Sequence, residues 1–361
     1  MKRAVNKTIL KVKPYIPGKP IEEVKRELGL KSVIKLASNE NPYGPSPKVR
    51  KAIARAIGEL NRYPDGDCYY LREILAKQLN VKRNQLIFGN GSDELIVLAI
   101  RAFVRPGDEV VIAKPSFLIY DIAARIAGAK IIAVPLKNFR YDLAAMKKQI
   151  TKKTKVVFLG NPDNPSGMYF TESQVRNFLK GLRRDILVFI DEAYFEYVSA
   201  RDYVQSVKLI KTAKNVFVTR TFSKMYGLAG LRIGYGVANA ELVDLLNRIR
   251  EPFNVNSLAQ VAAIAVLKDR SYYCGLARKM AAQRKFLCEN LKRMDLDFVK
   301  SYTNFILVNV NSKAAHVAKK LMKKGVIVRD MSFWGLGKYI RVTIGTGVEN
   351  KRFIKTLKEI L

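Results

Sequence analysis

The sequence is poor in the residues that build metal centres and disulfides. Its 361 residues hold one histidine, His316, and three cysteines. A single histidine excludes HExxH zinc chemistry and any multi-histidine site, so no metal is expected. His316, in NSKAAHVAKK, reads as a helical surface residue. Cys68, Cys274 and Cys288 are scattered, odd in number and form no CxxC pair. A disulfide framework or a cysteine zinc site is therefore not expected, and a reducing cytoplasmic setting is. No apolar run approaches the length of a membrane span, which leaves no membrane role to expect. Acidic residues are scarce: 31 Asp and Glu stand against 65 Lys and Arg, a formal net charge of +34. That excess invites a nucleic-acid reading. However, the basic residues spread along the whole chain in pairs such as Lys147-Lys148 and Lys323-Lys324, with no RNP motif, finger spacing or Arg-rich tail. A solvated basic surface with attraction for small anions is the expectation, and no specific nucleic-acid partner. The N-terminal stretch to Lys19 holds no acid before Glu22, but it is short of Ser and Arg for a transit peptide.

What the chain does have is an alternation of apolar runs and helical periods. LIFGN (86–90), EVVIA (109–113), KIIAVPL (130–136), KVVFLGNP (155–162), ILVFIDEAY (186–194) and NVFVTRTFSK (215–224) read as buried strands. DELIVLAIRAFV (93–104) and SFLIYDIAARIAG (116–128) read as helices, the second stopping at Gly128. This predicts an α/β fold with a mostly parallel sheet covered by helices. After Pro252 a helical stretch to about Leu291 precedes FILVNV (305–310), GVIVRD (325–330) and YIRVTIG (339–345), an α+β pattern. The expected organisation is an N-terminal arm with part of a small domain over 1–40, a large domain over 41–253 and a small C-terminal domain over 254–361.

In such sheets ligands sit beyond the carboxyl ends of the strands, and the polar residues cluster at those ends. In TFSKMYGLAGLRIGY (221–235), Lys224 follows a strand. A lysine there forms a Schiff base if its amine is partly desolvated and surrounded by positive charge. Arg232 is a natural phosphate partner, assisted by Thr221 and Ser223. In GNGSDE (89–94), Gly91 precedes a helix whose first N–H groups, at Ser92 and Asp93, suit a phosphate. Asp191 ends an apolar strand and needs a partner there; a protonated ring nitrogen would serve. Phosphate cradle, lysine and buried acid together point to pyridoxal 5′-phosphate. Asn164 and Tyr194 are placed to bond its ring 3′-oxygen, and Tyr120 to stack on the ring.

The ordered motifs PYIPG (14–18), LASNENPYGPSP (36–47), RYPDG (62–66), GNGSDE, PSFLIY (115–120), NPDNPSG (161–167), DEAYFEY (191–197), RTFSKMYGLAGLRIGY (220–235), PFNVNSLAQ (252–260), TNFILV (303–308) and IRVTIGT (340–346) cover nearly the whole chain. The sequence so marked resembles the fold-type I pyridoxal-phosphate-dependent aminotransferases, and among them the histidinol-phosphate branch. The resemblance implies that Lys224 carries the cofactor and then acts as acid and base. It implies that Asp191 holds the pyridine nitrogen, Asn164 and Tyr194 the 3′-oxygen, and Ser92, Asp93, Ser223 and Arg232 the phosphate. Tyr63 would reach the cofactor of a partner subunit, making the active unit a homodimer. Arg341 would take the substrate carboxyl of amino-acid substrates such as glutamate, while Arg329 and Tyr15 would meet the histidinol phosphate, with Asn41 also in the substrate site. Asp163 and Ser166 stand where that family usually has Asn and Thr. The small-molecule substrates so implied are histidinol phosphate and glutamate or 2-oxoglutarate. Threonine-phosphate decarboxylation and aromatic amino-acid transamination are the rivals on the same fold. A nucleic-acid-binding protein that retains the fold is the rival from another class.

Overall fold

The computed structural model describes residues 5, 7–12, 14 and 17–361. Twelve strands form among them: β1 (Ile34–Leu36), β2 (Leu86–Gly89), β3 (Glu109–Lys114), β4 (Lys130–Pro135), β5 (Thr154–Gly160), β6 (Leu187–Asp191), β7 (Val216–Thr221), β8 (Gly234–Val237), β9 (Phe298–Val299), β10 (Phe305–Asn309), β11 (Val326–Asp330) and β12 (Tyr339–Thr343). They make two sheets. The larger runs β2-β8-β7-β6-β5-β3-β4 and the smaller β1-β11-β12-β10-β9.

In the large sheet β4, β3, β5, β6 and β7 are parallel neighbours, and β8 pairs antiparallel with both β7 and β2. Every residue of β6 and β7 is buried. That is why these strands read as continuous apolar runs: helices cover both faces of the sheet. Phe158, Phe189 and Phe217 pack into one facial core, and Leu159, Val188, Ile190 and Val218 into the other. The helix Leu118–Ile126 ends as expected by way of Gly128, whose φ of +79° suits glycine. The long helical stretch after Pro252 is two helices, Ser257–Leu267 and Arg270–Arg293.

The small sheet is mixed. β1, from the first forty residues, joins β11 in parallel, so the chain's beginning completes the C-terminal sheet. The helix Ser257–Leu267 packs on Pro47–Ala56 and Tyr69–Leu79, so contacts run across the expected boundary at 253. No helix among the described residues is long and apolar enough to cross a membrane, and no cluster of potential metal ligands occurs among them.

Candidate active site

The carboxyl ends of β5, β6 and β7 open on a cavity of about 280 Å³, closed from the other side by residues of the small sheet. Lys224, Asp191, Tyr194, Asn164, Ser92, Asp93, Thr221, Ser223, Arg232, Tyr120, Arg329 and Arg341 all line it. Residues from distant parts of the sequence thus converge because the parallel strands end in register: Asp191 lies beside Gly160 of β5 and Thr219 of β7.

Asp191 is only 6% exposed. Its oxygens accept the Tyr120 hydroxyl at 2.7 Å and the Ala193 N–H at 3.1 Å. Burial nevertheless raises its pKa to about 6, because no cationic group of the described residues pairs with it. Lys224 sits in the turn after β7 with Nζ 3.3 Å from the Ser38 carbonyl, to which it donates. Burial first, and then the charge of Arg341, lower its pKa to about 8. Tyr194 accepts the Asn39 amide N–H at 2.8 Å, and burial pushes its hydroxyl up to about 12. It is therefore a neutral group at physiological pH with its own proton left to donate.

A polar cradle faces these groups. The helix Ser92–Phe103 begins immediately after Gly91, whose φ is +80°. A Cβ on Gly91 would fall 2.4 Å from Arg232 Nη2. Arg232 pairs with Asp93 at 3.1 Å and donates to Ser223 Oγ at 3.4 Å. The Ser223 N–H in turn donates to Thr221 Oγ1 at 3.1 Å. Helix N-terminal amides, two hydroxyls and a guanidinium thus gather in one corner.

The far wall is cationic. Arg329 of β11 and Arg341 of β12 are directly paired across the two antiparallel strands, so their side chains leave the same face of the sheet. Arg341 is 6% exposed and donates to Asn164 Oδ1 at 2.5 Å and to the Ala37 carbonyl at 3.1 Å. That occupies the Asn164 carbonyl and leaves its NH₂ as the donor end.

Several expected residues stand differently. Tyr120 has one ring face already covered, lying flat on Phe158 at 4.5 Å and 7°, and its hydroxyl serves Asp191. Phe117, three residues earlier and not singled out, also lines the cavity. Asn41 is not in the cavity wall, because its amide is consumed by the Met225 carbonyl at 2.7 Å and by the Tyr43 N–H at 2.9 Å. Asn39 takes that place. Tyr63 is 83% exposed and stacked on Phe253, outside its own cavity. Tyr15 lies outside the described residues. Asp163 and Ser166 bond to each other at 2.6 Å, with Tyr141 on the other Asp163 oxygen at 2.9 Å, and neither lines the cavity.

An α/β sheet with a desolvated lysine, a buried acid and an anion cradle at one end defines a class, and comparison with known proteins agrees: over residues 31–357 the chain matches aminotransferase class I and II, and it belongs to that family. The histidinol-phosphate aminotransferase of Moorella thermoacetica is 49% identical over 355 residues, 98% of this chain and 92% of that protein. That of Caldicellulosiruptor saccharolyticus is 46% identical over 350 residues, covering 97% and 98%. The crystal structure of histidinol-phosphate aminotransferase from Sinorhizobium meliloti in complex with pyridoxal-5′-phosphate superposes with a TM-score of 0.91 at 27% identity, over 99% of both chains. The L-threonine-O-3-phosphate decarboxylase of Porphyromonas gingivalis is similar at TM-score 0.81 and 26% identity, covering 91% and 99%.

Proposed function

We propose that the protein is a pyridoxal-phosphate-dependent aminotransferase that exchanges an amino group between L-histidinol phosphate and 2-oxoglutarate, yielding imidazole-acetol phosphate and glutamate, and the reverse in histidine biosynthesis. The observation that carries this is a paired-arginine wall facing a desolvated lysine and a buried acid, in a chain nearly half identical over its length to proteins of that name.

The residues present fit the cofactor. Asp191 is a buried carboxylate without a cationic partner among the described residues, which suits a protonated pyridine nitrogen. The corner at Gly91, Ser92, Asp93, Ser223 and Arg232 suits a phosphate and would be spoiled by a Cβ at Gly91. When bound, pyridoxal phosphate supplies an aldehyde that captures amines and a ring that draws electrons from the carbon beside the nitrogen. Asp191 would keep that ring positively charged. Asn164 and Tyr194 would donate to its 3′-oxygen. Lys224, with a substantial neutral fraction near pH 8, would hold the cofactor by its amine. With substrate in the site, its Nζ would be the group that takes a proton from the amine-bearing carbon and later returns one. Arg341, held flat by Asn164 and Ala37, meets a carboxylate or phosphate bidentately, with Arg329 beside it.

The active unit in this proposal is a homodimer, with Tyr63 reaching the partner's cofactor phosphate. The exposed stack of Tyr63 on Phe253 supports it, since both rings face solvent in a single chain.

Purified protein mixed with pyridoxal phosphate should develop a visible absorption band that Lys224→Ala lacks. It should transaminate histidinol phosphate with 2-oxoglutarate. Side-by-side assays with phosphothreonine and phenylalanine separate the rivals: carbon dioxide release from phosphothreonine without transamination of histidinol phosphate would replace this proposal with a decarboxylase.

A further inference from the structure

Trp334 is the only tryptophan in the chain. It ends the short turn Ser332–Trp334 that follows β11, the strand carrying Arg329. The indole is 8% exposed and its Nε1–H donates to the Ser116 carbonyl at 3.2 Å. Ser116 belongs to the large sheet's side of the molecule, just after β3, so this bond ties the two units together beside the site. The Arg329 guanidinium carbon lies 5.0 Å from the indole ring centroid. The same indole borders the active-site cavity and, with Phe117, a second cavity of about 560 Å³ lined by Lys114, Asp121 and Arg125.

Arg329 and Arg341 repel each other across the strands, and a long arginine side chain relieves such repulsion by turning to solvent. Arg341 is fixed by its hydrogen bonds. Arg329 is offered the negative face of an indole that is itself locked by the bond to Ser116. We propose that Trp334 is a positioning residue for the anionic end of the substrate: its ring face keeps the Arg329 guanidinium turned into the cavity beside Arg341, so that both arginines meet the same phosphate or a dicarboxylate's two ends. The inference rests on the reading of the site as one for a phosphate-bearing amine and names the residue that builds its anion seat.

The test is a double-mutant cycle on the holoenzyme. Trp334→Leu should raise KM for histidinol phosphate about tenfold while kcat changes less than about threefold. Trp334→Phe keeps a ring face and should restore KM to within about threefold of wild type. Arg329→Ala should raise KM as well, and Trp334→Leu placed on Arg329→Ala should raise it no further. Additive KM effects, a loss confined to kcat, or a Phe variant as poor as Leu would overturn the inference. The cycle is run in parallel on glutamate. A wild type that turns over glutamate but not histidinol phosphate removes the substrate proposal, while the Trp334 cycle is still read on the dicarboxylate. A further readout needs no Trp334 variant: Arg329→Ala should change the emission of the single indole, and an unchanged spectrum means that the stack is absent in solution and sinks the inference.

Discussion

Asp191 and Asp163 are both buried carboxylates with pKa values raised to about 6, yet they do different things. Asp191 faces the cavity and waits for a cation; Asp163 is enclosed by Tyr141 and Ser166 and braces the turn that presents Asn164. Burial is the first cause of both shifts, so in the folded, cofactor-free protein each carboxyl keeps its proton up to about pH 6. A folded value above the unfolded one means that the stabilising contribution is full below about pH 4 and is lost as pH rises through about 6. Asp163→Asn carries no charge to bury. Its unfolding free energy should therefore gain on wild type by about 2 kcal/mol between pH 4 and pH 7. Denaturant titrations of the two proteins across that range check this, and a constant difference would refute it. Lys224 behaves with the opposite sign. Its depressed pKa means that stability is present above the unfolded value and falls as pH drops through about 8.

At the scale of elements, the decisive piece is β8, the strand that runs against both of its neighbours in the large sheet. It lies between β2 and β7 and brings Gly234 against the start of the helix Ser92–Phe103. A Cβ there would fall 2.7 Å from the Ser92 nitrogen and 3.0 Å from the Arg220 carbonyl, both backbone atoms that cannot swing away. Gly234→Ala should therefore shift the helix N-terminus, weaken pyridoxal-phosphate binding at least about tenfold and destabilise the fold by about 2 kcal/mol. Equilibrium titration of the visible band and thermal unfolding measure both. The same strand shows where the sequence was hard to read. β3, β5, β6 and β7 were legible to within a few residues because buried parallel strands are nearly unbroken apolar runs, and the edge strands β2 and β4 because their apolar residues are also consecutive. β8 is Gly-Tyr-Gly-Val: its glycines answer to close neighbours, Ser92 and the Phe217 ring, and carry no strand signal of their own. Asp191 and Lys224 were legible because a charged group at the end of an apolar strand costs free energy unless a ligand or an opposite charge meets it. Which asparagine of SNEN faces inward was not. Asn39 takes a left-handed φ of 55°, a local turn that no apolar period reveals. Tyr120 and Phe117 share one motif; only Tyr120 carries a hydroxyl for Asp191, and its packing on Phe158, which aims that hydroxyl, is not written in the motif.

Taken as a whole, the molecule carries its +34 charge while its site needs anions. The charge is spread widely and the ion pairs are mostly exposed, so it acts as a field for drawing phosphates and carboxylates inward. In the proposed dimer the Tyr63–Phe253 stack becomes a contact with the partner. Sedimentation should then show a dimer, and Tyr63→Ala should weaken cofactor affinity by about tenfold or more without abolishing the visible band. A monomeric wild type with full cofactor affinity would refute the shared site.

The facing arginines of β11 and β12 have one more consequence. Two like charges held side by side in the small sheet repel, and under the proposed function an oxyanion seated on both would relieve that repulsion. Occupancy and robustness would then be the same event seen twice. An enzyme starved of its substrate would also be the one most exposed to heat and proteolysis, while surroundings rich in inorganic phosphate would shelter it and compete for its seat.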